Sequence, residues 1–400
     1  MTTSSLRRVF LIAGIASLLL SYLGIWMRMI NDPVERTGAD FIHFYSAGRI
    51  AQSEGAAHVY DLSLQQEIEE QQVGFALAPG QVLPYNHLPY LIPILRVTMS
   101  ADYVSSFYRW VFLMIAIFIT GIGILGRVLT GDGIDRKSTL LASIGGFLFL
   151  PLFVSLMNGQ DTAFLLLGAA IWMYGLVSGR EVLAGLGLSL TTIRPHIALI
   201  LALPMLFRYR KVFLGFALGS GALALISFLI IGMAGTREYI NILLISVGGE
   251  WYGMNQNAMY NLIGILMRTL PWLGTETIRT IGWAVYGITI IGLCILWGRK
   301  KDLQAGLIGL TVTLALFAVP HLHFHDLTLL LIPVYELIRS SALNTELKTG
   351  TATVSPIAIS LLLLLGNASP ILQYAFPYLI MLVLAGYPFY IKRNSPAAKQ

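Results

Sequence analysis

The sequence predicts an all-α, polytopic transmembrane helical bundle, and three observations carry that prediction. Of the 400 residues, 56% are hydrophobic and only 12% charged, about half the charged share of an ordinary soluble domain. The mean hydropathy is +0.73. Apolar runs that match a hydrocarbon layer of about 30 Å, or roughly 20 helical residues, recur from Leu11 to the C-terminal region. A soluble globular domain is excluded. The single cysteine, Cys294, excludes an intramolecular disulfide and a cysteine-based metal cluster.

Taken in order, Arg7 and Arg8 precede an apolar run from Val9 to Trp26. That run is long for a signal peptide and has no small-residue cleavage pattern before Arg28, so it reads as a retained first span. Further spans are expected near 104–127, 139–157, 161–178, 211–233, 278–298, 304–320, 326–338, 353–368 and 371–391, about ten in all. Residues 182–207 fit a span badly, because Arg194 and Pro195 interrupt the run and basic residues flank both ends. They read as a broken, re-entrant hairpin. The short run 257–270 is not a confident span. Residues 31–103 form a long external loop and 234–260 a second one, and without an internal repeat 1–400 reads as a single integrated domain.

Charge sets the orientation. With both termini cytoplasmic, 17 Lys and Arg fall inside, eight fall outside, and Arg194 lies at membrane depth. The opposite assignment breaks the positive-inside bias, so the basic balance needs no nucleic acid and marks the lipid bilayer as the partner. Of the 20 acidic residues, 14 fall outside and nine of those lie between Asn31 and Tyr103. Long loops on a rigid scaffold are where function concentrates.

The candidate site residues are the polar groups that lipid would reject. Asp40 stands about ten residues beyond the first span, before a segment 41–54 whose apolar residues, Tyr45 among them, recur at helical spacing. That segment is expected to lie along the interface as an amphipathic helix, with Asp40 either capping it or facing substrate. A second helix is expected after Ser63, boxed by Gln66, with Glu67, Glu69 and Glu70 on a solvated face. Gln160 and Asp161 follow an Asn158-Gly159 turn at the outer mouth. Arg194 costs at least a few kcal/mol in lipid unless it faces a cavity or a partner, so it suits either a phosphate or an internal pair with a carboxylate such as Asp161; His196 joins it. Pro320 to Asp326 carries three histidines at alternating positions, read as His325 acting as acid or hydrogen-bond donor, with Asp326 orienting it or capping the next span. Asn257, with Asn255 and Gln256, and His87, in Tyr85-Asn86-His87-Leu88-Pro89, complete the set.

In order along the chain, Asp40-Phe41, Tyr45, Ala47-Gly48, Gly55 and Tyr60-Asp61, then Tyr85 to Pro89, Gly159-Gln160, Arg194-Pro195, Asn255 to Asn257 and Pro320 to Asp326 resemble glycosyltransferase family 87. Two departures stand out: Leu88 replaces the first proline of a Pro-Pro pair, and Arg194 stands where lysine is common. The resemblance implies a GT-C-like membrane fold and a polyprenyl-phosphate sugar donor, typically mannose. It also implies a lipid or glycan acceptor, transfer on the external face with inversion, and a catalytic carboxylate at Asp40.

Transfer to an alcohol needs a base for the acceptor proton and stabilisation of the departing phosphate. Asp40 is the expected base, with Arg194 and His325 on the phosphate or His325 sharing acceptor activation. Neither a metal nor another cofactor is required, since fixed cations can neutralise a monophosphate. No glycine-rich phosphate loop favours a nucleotide sugar. The competing class is a secondary transporter or lipid flippase of the cell envelope, which also uses broken helices around a buried charge.

Overall fold

The computed structural model describes residues 3–32, 40–130, 136–248, 256–299, 303, 305–341, 343–366 and 368–394. Among them every regular element is helical. In chain order these are α1 (Thr3–Asn31), α2 (Phe41–Ser53), α3 (Leu62–Val73), α4 (Ile92–Thr98), α5 (Tyr103–Thr130), α6 (Arg136–Phe147), α7 (Leu150–Met157), α8 (Thr162–Val177) and α9 (Glu181–Leu190). They continue as α10 (Pro195–Ala202), α11 (Met205–Arg208), α12 (Arg210–Gly248), α13 (Leu262–Thr269), α14 (Thr275–Gly298), α15 (Leu307–Ala318), α16 (Leu331–Ser340), α17 (Thr345–Gly366) and α18 (Pro370–Asn394).

Five helices among the described residues are long and apolar enough to cross a bilayer: α1 over Arg8–Arg28, α5, α12 over Arg210–Ser246, α14 and α17. A sixth span results if α6 and α7, bent by 68° at Leu148-Phe149, count as one. By length and composition the described residues thus show five or six spans, and the ten read from the sequence are not confirmed. Three apolar runs became short helices: α8 has 16 residues, α15 has 12 and α16 has 10. At 1.5 Å per residue these reach only about 15–24 Å. Hydropathy measures the length of an apolar run, whereas these helices stop where the chain turns polar, after Asp161 or before Pro320. Helix ends inside protein need not reach water.

The run 182–207 breaks as expected, into α9, a 3-10 turn at Thr191–Ile193, α10 and α11, with Arg194 at the break. Residues 234–248, expected to open a loop, instead continue α12 beyond a non-helical Gly232. Asn255 lies outside the described residues.

α9 is sandwiched between α8 and α12, and its small residues permit the close approach. A Cβ on Gly185 would lie 2.1 Å from the Val212 carbonyl oxygen, and one on Gly187 would lie 2.7 Å from the Trp172 nitrogen. In lipid, where apolar burial drives little association, such backbone contact is a main source of helix pairing.

Within the segment read as an external loop, residues 40–103 are largely structured. α2 buries ten of its 13 residues, so it is enclosed by protein rather than spread on the interface. α3 starts two residues earlier than expected, because Asp61 and not Ser63 is its N-cap: the Asp61 carboxylate accepts from the Ser63 and Leu64 amides at 2.9 and 3.4 Å. Glu69 is not solvated but 1% exposed. α3 clamps the returning strap 77–87 through side chains: Gln66 Nε2 donates to the Leu77 carbonyl (2.9 Å), Glu70 accepts from the Leu77 amide (2.9 Å), Glu69 from Leu83 (3.1 Å) and Gln65 from Tyr85 (2.8 Å).

Glu69 makes this clamp sensitive to pH. Burial pushes its pKa up to about 8, and the Leu83 amide offsets only part of that shift. The folded chain therefore binds this proton more tightly than the unfolded chain, whose carboxyl titrates near 4.3. The stability it contributes is complete below that lower value and is lost as pH rises through about 8. Thermal melts of Glu69→Gln and wild type should accordingly diverge from pH 5 to pH 9, with the wild-type midpoint falling relative to the variant. Parallel curves would refute the account.

Candidate active site

The cavity that gathers the polar residues has a volume of about 500 Å³. Asp40 and His43, at the start of α2, form one part of its wall, and His87, from the clamped strap, forms the next. Gln160 comes from the α7–α8 turn, Arg194 from the break before α10 and His196 from the first turn of α10. His321, His323 and His325 enter from the junction between α15 and α16. Segments some 285 residues apart in sequence thus meet at one space.

Arg194 is the hub. Its Nη2 lies 3.1 Å from Asp161 Oδ1 and donates to Gln160 Oε1 at 3.0 Å, while its Nε lies 3.4 Å from Asp326 Oδ1. Both carboxylates are fully buried. The internal pair with Asp161 exists, then, yet the guanidinium still borders the cavity. Asp161 also lies 2.8 Å from His87 Nδ1 through Oδ2, and Asp326 lies 3.7 Å from His325 Nε2 while accepting from the His323 amide at 3.2 Å. Each carboxylate therefore joins the one arginine to one histidine. Two negative groups thus share one positive group in a region of low dielectric.

Asp40 is placed differently. It precedes α2, but its side chain makes no capping bond. It is only half-buried and borders the cavity, so the capping alternative is not what the structure shows. His43 is buried and packs its ring on His87, with centroids 5.1 Å apart. Burial holds His43 well below the usual imidazole pKa, and His87 pushes the same way, so it is neutral at physiological pH.

Of the residues picked out in the sequence, Asp40, His87, Gln160, Arg194, His196 and His325 line the cavity, and Asp161 and Asp326 lie directly behind Arg194. Two do not reach it. Tyr45 is buried beneath the wall, with its hydroxyl donating to the Ala101 carbonyl at 3.0 Å and its ring against Tyr103. Asn257 is exposed, and its carbonyl accepts from Arg268; its neighbour Gln256 is the lining residue. His43, Ser246, Arg279 and Tyr286 also line the cavity. No motif marks them in the sequence, although Arg279 and Tyr286, seven residues apart, share a helix face. Among the described residues no group of three His, Cys, Asp or Glu side chains has metal-holding geometry, and the His323 ring packs against those of His321 and His325, with centroids 4.6 and 5.8 Å away.

The α7–α8 turn needs its glycine. Gly159 has φ +68°, and a Cβ there would lie 2.5 Å from Phe41 Cβ. Its carbonyl accepts from Trp110 Nε1 at 2.7 Å. Gly179 has a similar φ of +71° but open space around it. Alanine at Gly179 should cost about 1–2 kcal/mol from backbone strain alone, whereas Gly159→Ala adds a clash worth about 1–3 kcal/mol more. It should also weaken donor binding by shifting Gln160. Equal melting losses for the two variants would contradict the close contact.

A model of glycosyltransferase family 87 matches residues 89–320, more than half of the chain. The matched stretch contains Gln160, Asp161, Arg194 and His196, and stops short of Asp40 on one side and His325 on the other. No curated protein and no solved structure matches the chain.

Proposed function

The chain belongs to glycosyltransferase family 87, and from that premise we propose that it moves a hexose, mannose by family resemblance, from a polyprenyl-phosphate donor to an acceptor hydroxyl on the external face, with inversion. That it is a membrane glycosyltransferase follows from the family and from its apolar helices. The finer reading rests on one observation: a single cavity is bordered both by a carboxylate free of capping duty, Asp40, and by a guanidinium, Arg194, that two buried carboxylates hold in place.

The division of labour follows from charge. As the sugar–phosphate bond lengthens, the sugar carbon becomes cationic and the phosphate gains negative charge. Arg194, already oriented, presents fixed positive charge to that phosphate without reorganising. Asp40 accepts the proton of the attacking hydroxyl, and His325, beside Asp326, assists in acceptor activation. The excess of Lys and Arg on the segments read as cytoplasmic supports an external site.

Proteoliposomes containing purified protein, radiolabelled polyprenyl-phosphate mannose and a host membrane extract as acceptor source test this reading. Release of unlabelled lipid phosphate together with labelled product supports it. Movement of intact labelled donor between leaflets without transfer would favour a flippase and overturn it.

A further inference from the structure

We propose that His87, oriented by Asp161, is a catalytic acid that protonates the departing phosphate, a role that rests on the transferase reading above. The geometry is that of a carboxylate–imidazole dyad. His87 Nδ1 lies 2.8 Å from Asp161 Oδ2, and Asp161 is fully buried with its other oxygen 3.1 Å from Arg194. A carboxylate with no proton of its own draws the Nδ1 proton of the ring toward it, which leaves Nε2 as the nitrogen that a ligand in the cavity can meet.

The ring is held as a working group should be. Its backbone carbonyl accepts from the Tyr60 hydroxyl at 2.7 Å, and its faces pack on His43 and Phe44, with centroids 5.1 and 4.6 Å away. Gln65 secures the same strap two residues earlier, through the Tyr85 amide. Such immobilisation of a residue that borders a cavity, by a helix outside the cavity, is what orientation for chemistry requires.

Charge and chemistry agree on the role. Asp161, Asp326 and Arg194 sum to one negative charge, and the His87 ring stands among them, its Nδ1 2.8 Å from Asp161 and 3.5 Å from Arg194 Nη1. His43 is its neutral stacking partner. On transfer, the bond between the sugar carbon and the phosphate oxygen breaks and its electron pair stays on that oxygen, turning a diester monoanion into a monoester dianion. The second ionisation of a phosphate monoester lies near 6, close to the ordinary imidazole range, and an acid is most effective when matched in this way. The Nε2 proton passes to the phosphate oxygen, and the imidazole is left neutral with Nδ1–H on Asp161. The sugar carbon bonds to the acceptor oxygen, whose proton goes to Asp40. Before the next turnover Asp40 gives up the acceptor's proton to solvent and His87 takes one up, so both groups return to their starting states.

His87→Gln retains a donor for Asp161 and removes the acid. In proteoliposomes with polyprenyl-phosphate mannose, kcat should fall about 100-fold while donor KM stays within about threefold. With mannose on a long-chain alkylphenyl phosphate, a less basic leaving group, the loss should shrink to about tenfold or less, which a folding defect would not produce. An active wild type whose variant shows a raised KM with unchanged kcat, or equal losses with both donors, overturns the role of His87 alone. A wild type that consumes neither donor overturns the transferase reading and this role with it.

Discussion

Asp40→Asn is expected to abolish transfer while leaving the protein folded and able to hold its donor. The carboxylate makes no capping bond to α2 and is only half-buried, so the isosteric amide removes no hydrogen bond that the helix depends on. What it removes is the one cavity-lining carboxylate that Arg194 does not engage in an ion pair. Loss of a positioned base costs about 10²–10⁴ in rate, and the fall should appear in kcat with donor KM little changed, because Arg194 and Gln160 still meet the phosphate. Asp40→Glu should recover little, since an added methylene moves the oxygens by about 1 Å and positioning errors of that size are costly. Steady-state turnover of radiolabelled donor, normalised to protein abundance and thermal midpoint, measures this. Unchanged turnover in Asp40→Asn would remove Asp40 as the base.

What could be read from the sequence divides along a physical line. Asp40, Arg194 and His325 stood out because lipid rejects charge, so a polar residue beside an apolar run needs a reason wherever the chain later folds. The break at Arg194-Pro195 was legible for a local cause too, since proline removes a helix donor. Other features depend on contacts made at a distance. Glu69 looks like one of three solvated acids until the strap returns and the Leu83 amide meets it. Tyr45 sits at helical spacing beside Asp40, but α2 is covered on nearly every side, so the same periodicity that suggested an interfacial helix produced a buried packing residue. Gln256 was passed over for Asn257 because one residue of register in a short turn is not encoded in composition. The number of spans was not legible for a related reason: an apolar run of 16 residues can be a whole crossing or a helix that ends inside protein, and only the neighbouring elements decide which.

Arg194→Met should be the most damaging single change to stability. The guanidinium faces two fully buried carboxylates, and truncation leaves Asp161 and Asp326 without their shared cation. Breaking a buried pair by removing one partner costs about 3–5 kcal/mol, because the remaining charge is left uncompensated. Arg194→Lys should fall between, since one ammonium on a flexible stem cannot span Gln160, Asp161 and Asp326 as a planar fork does. The informative experiment is a pair of variants. If the main cost of Arg194→Met is the orphaned charge, adding Asp161→Asn should return much of the lost thermal midpoint, because an amide is far cheaper to bury than an unpaired carboxylate. Turnover should stay lost in the double variant, since nothing then presents fixed positive charge to the phosphate. Stability restored without activity would separate the two duties of this arginine, one toward the fold and one toward the substrate. A double variant as unstable as Arg194→Met would show that the cost lies in packing, and the carboxylates would then have to be neutral without it.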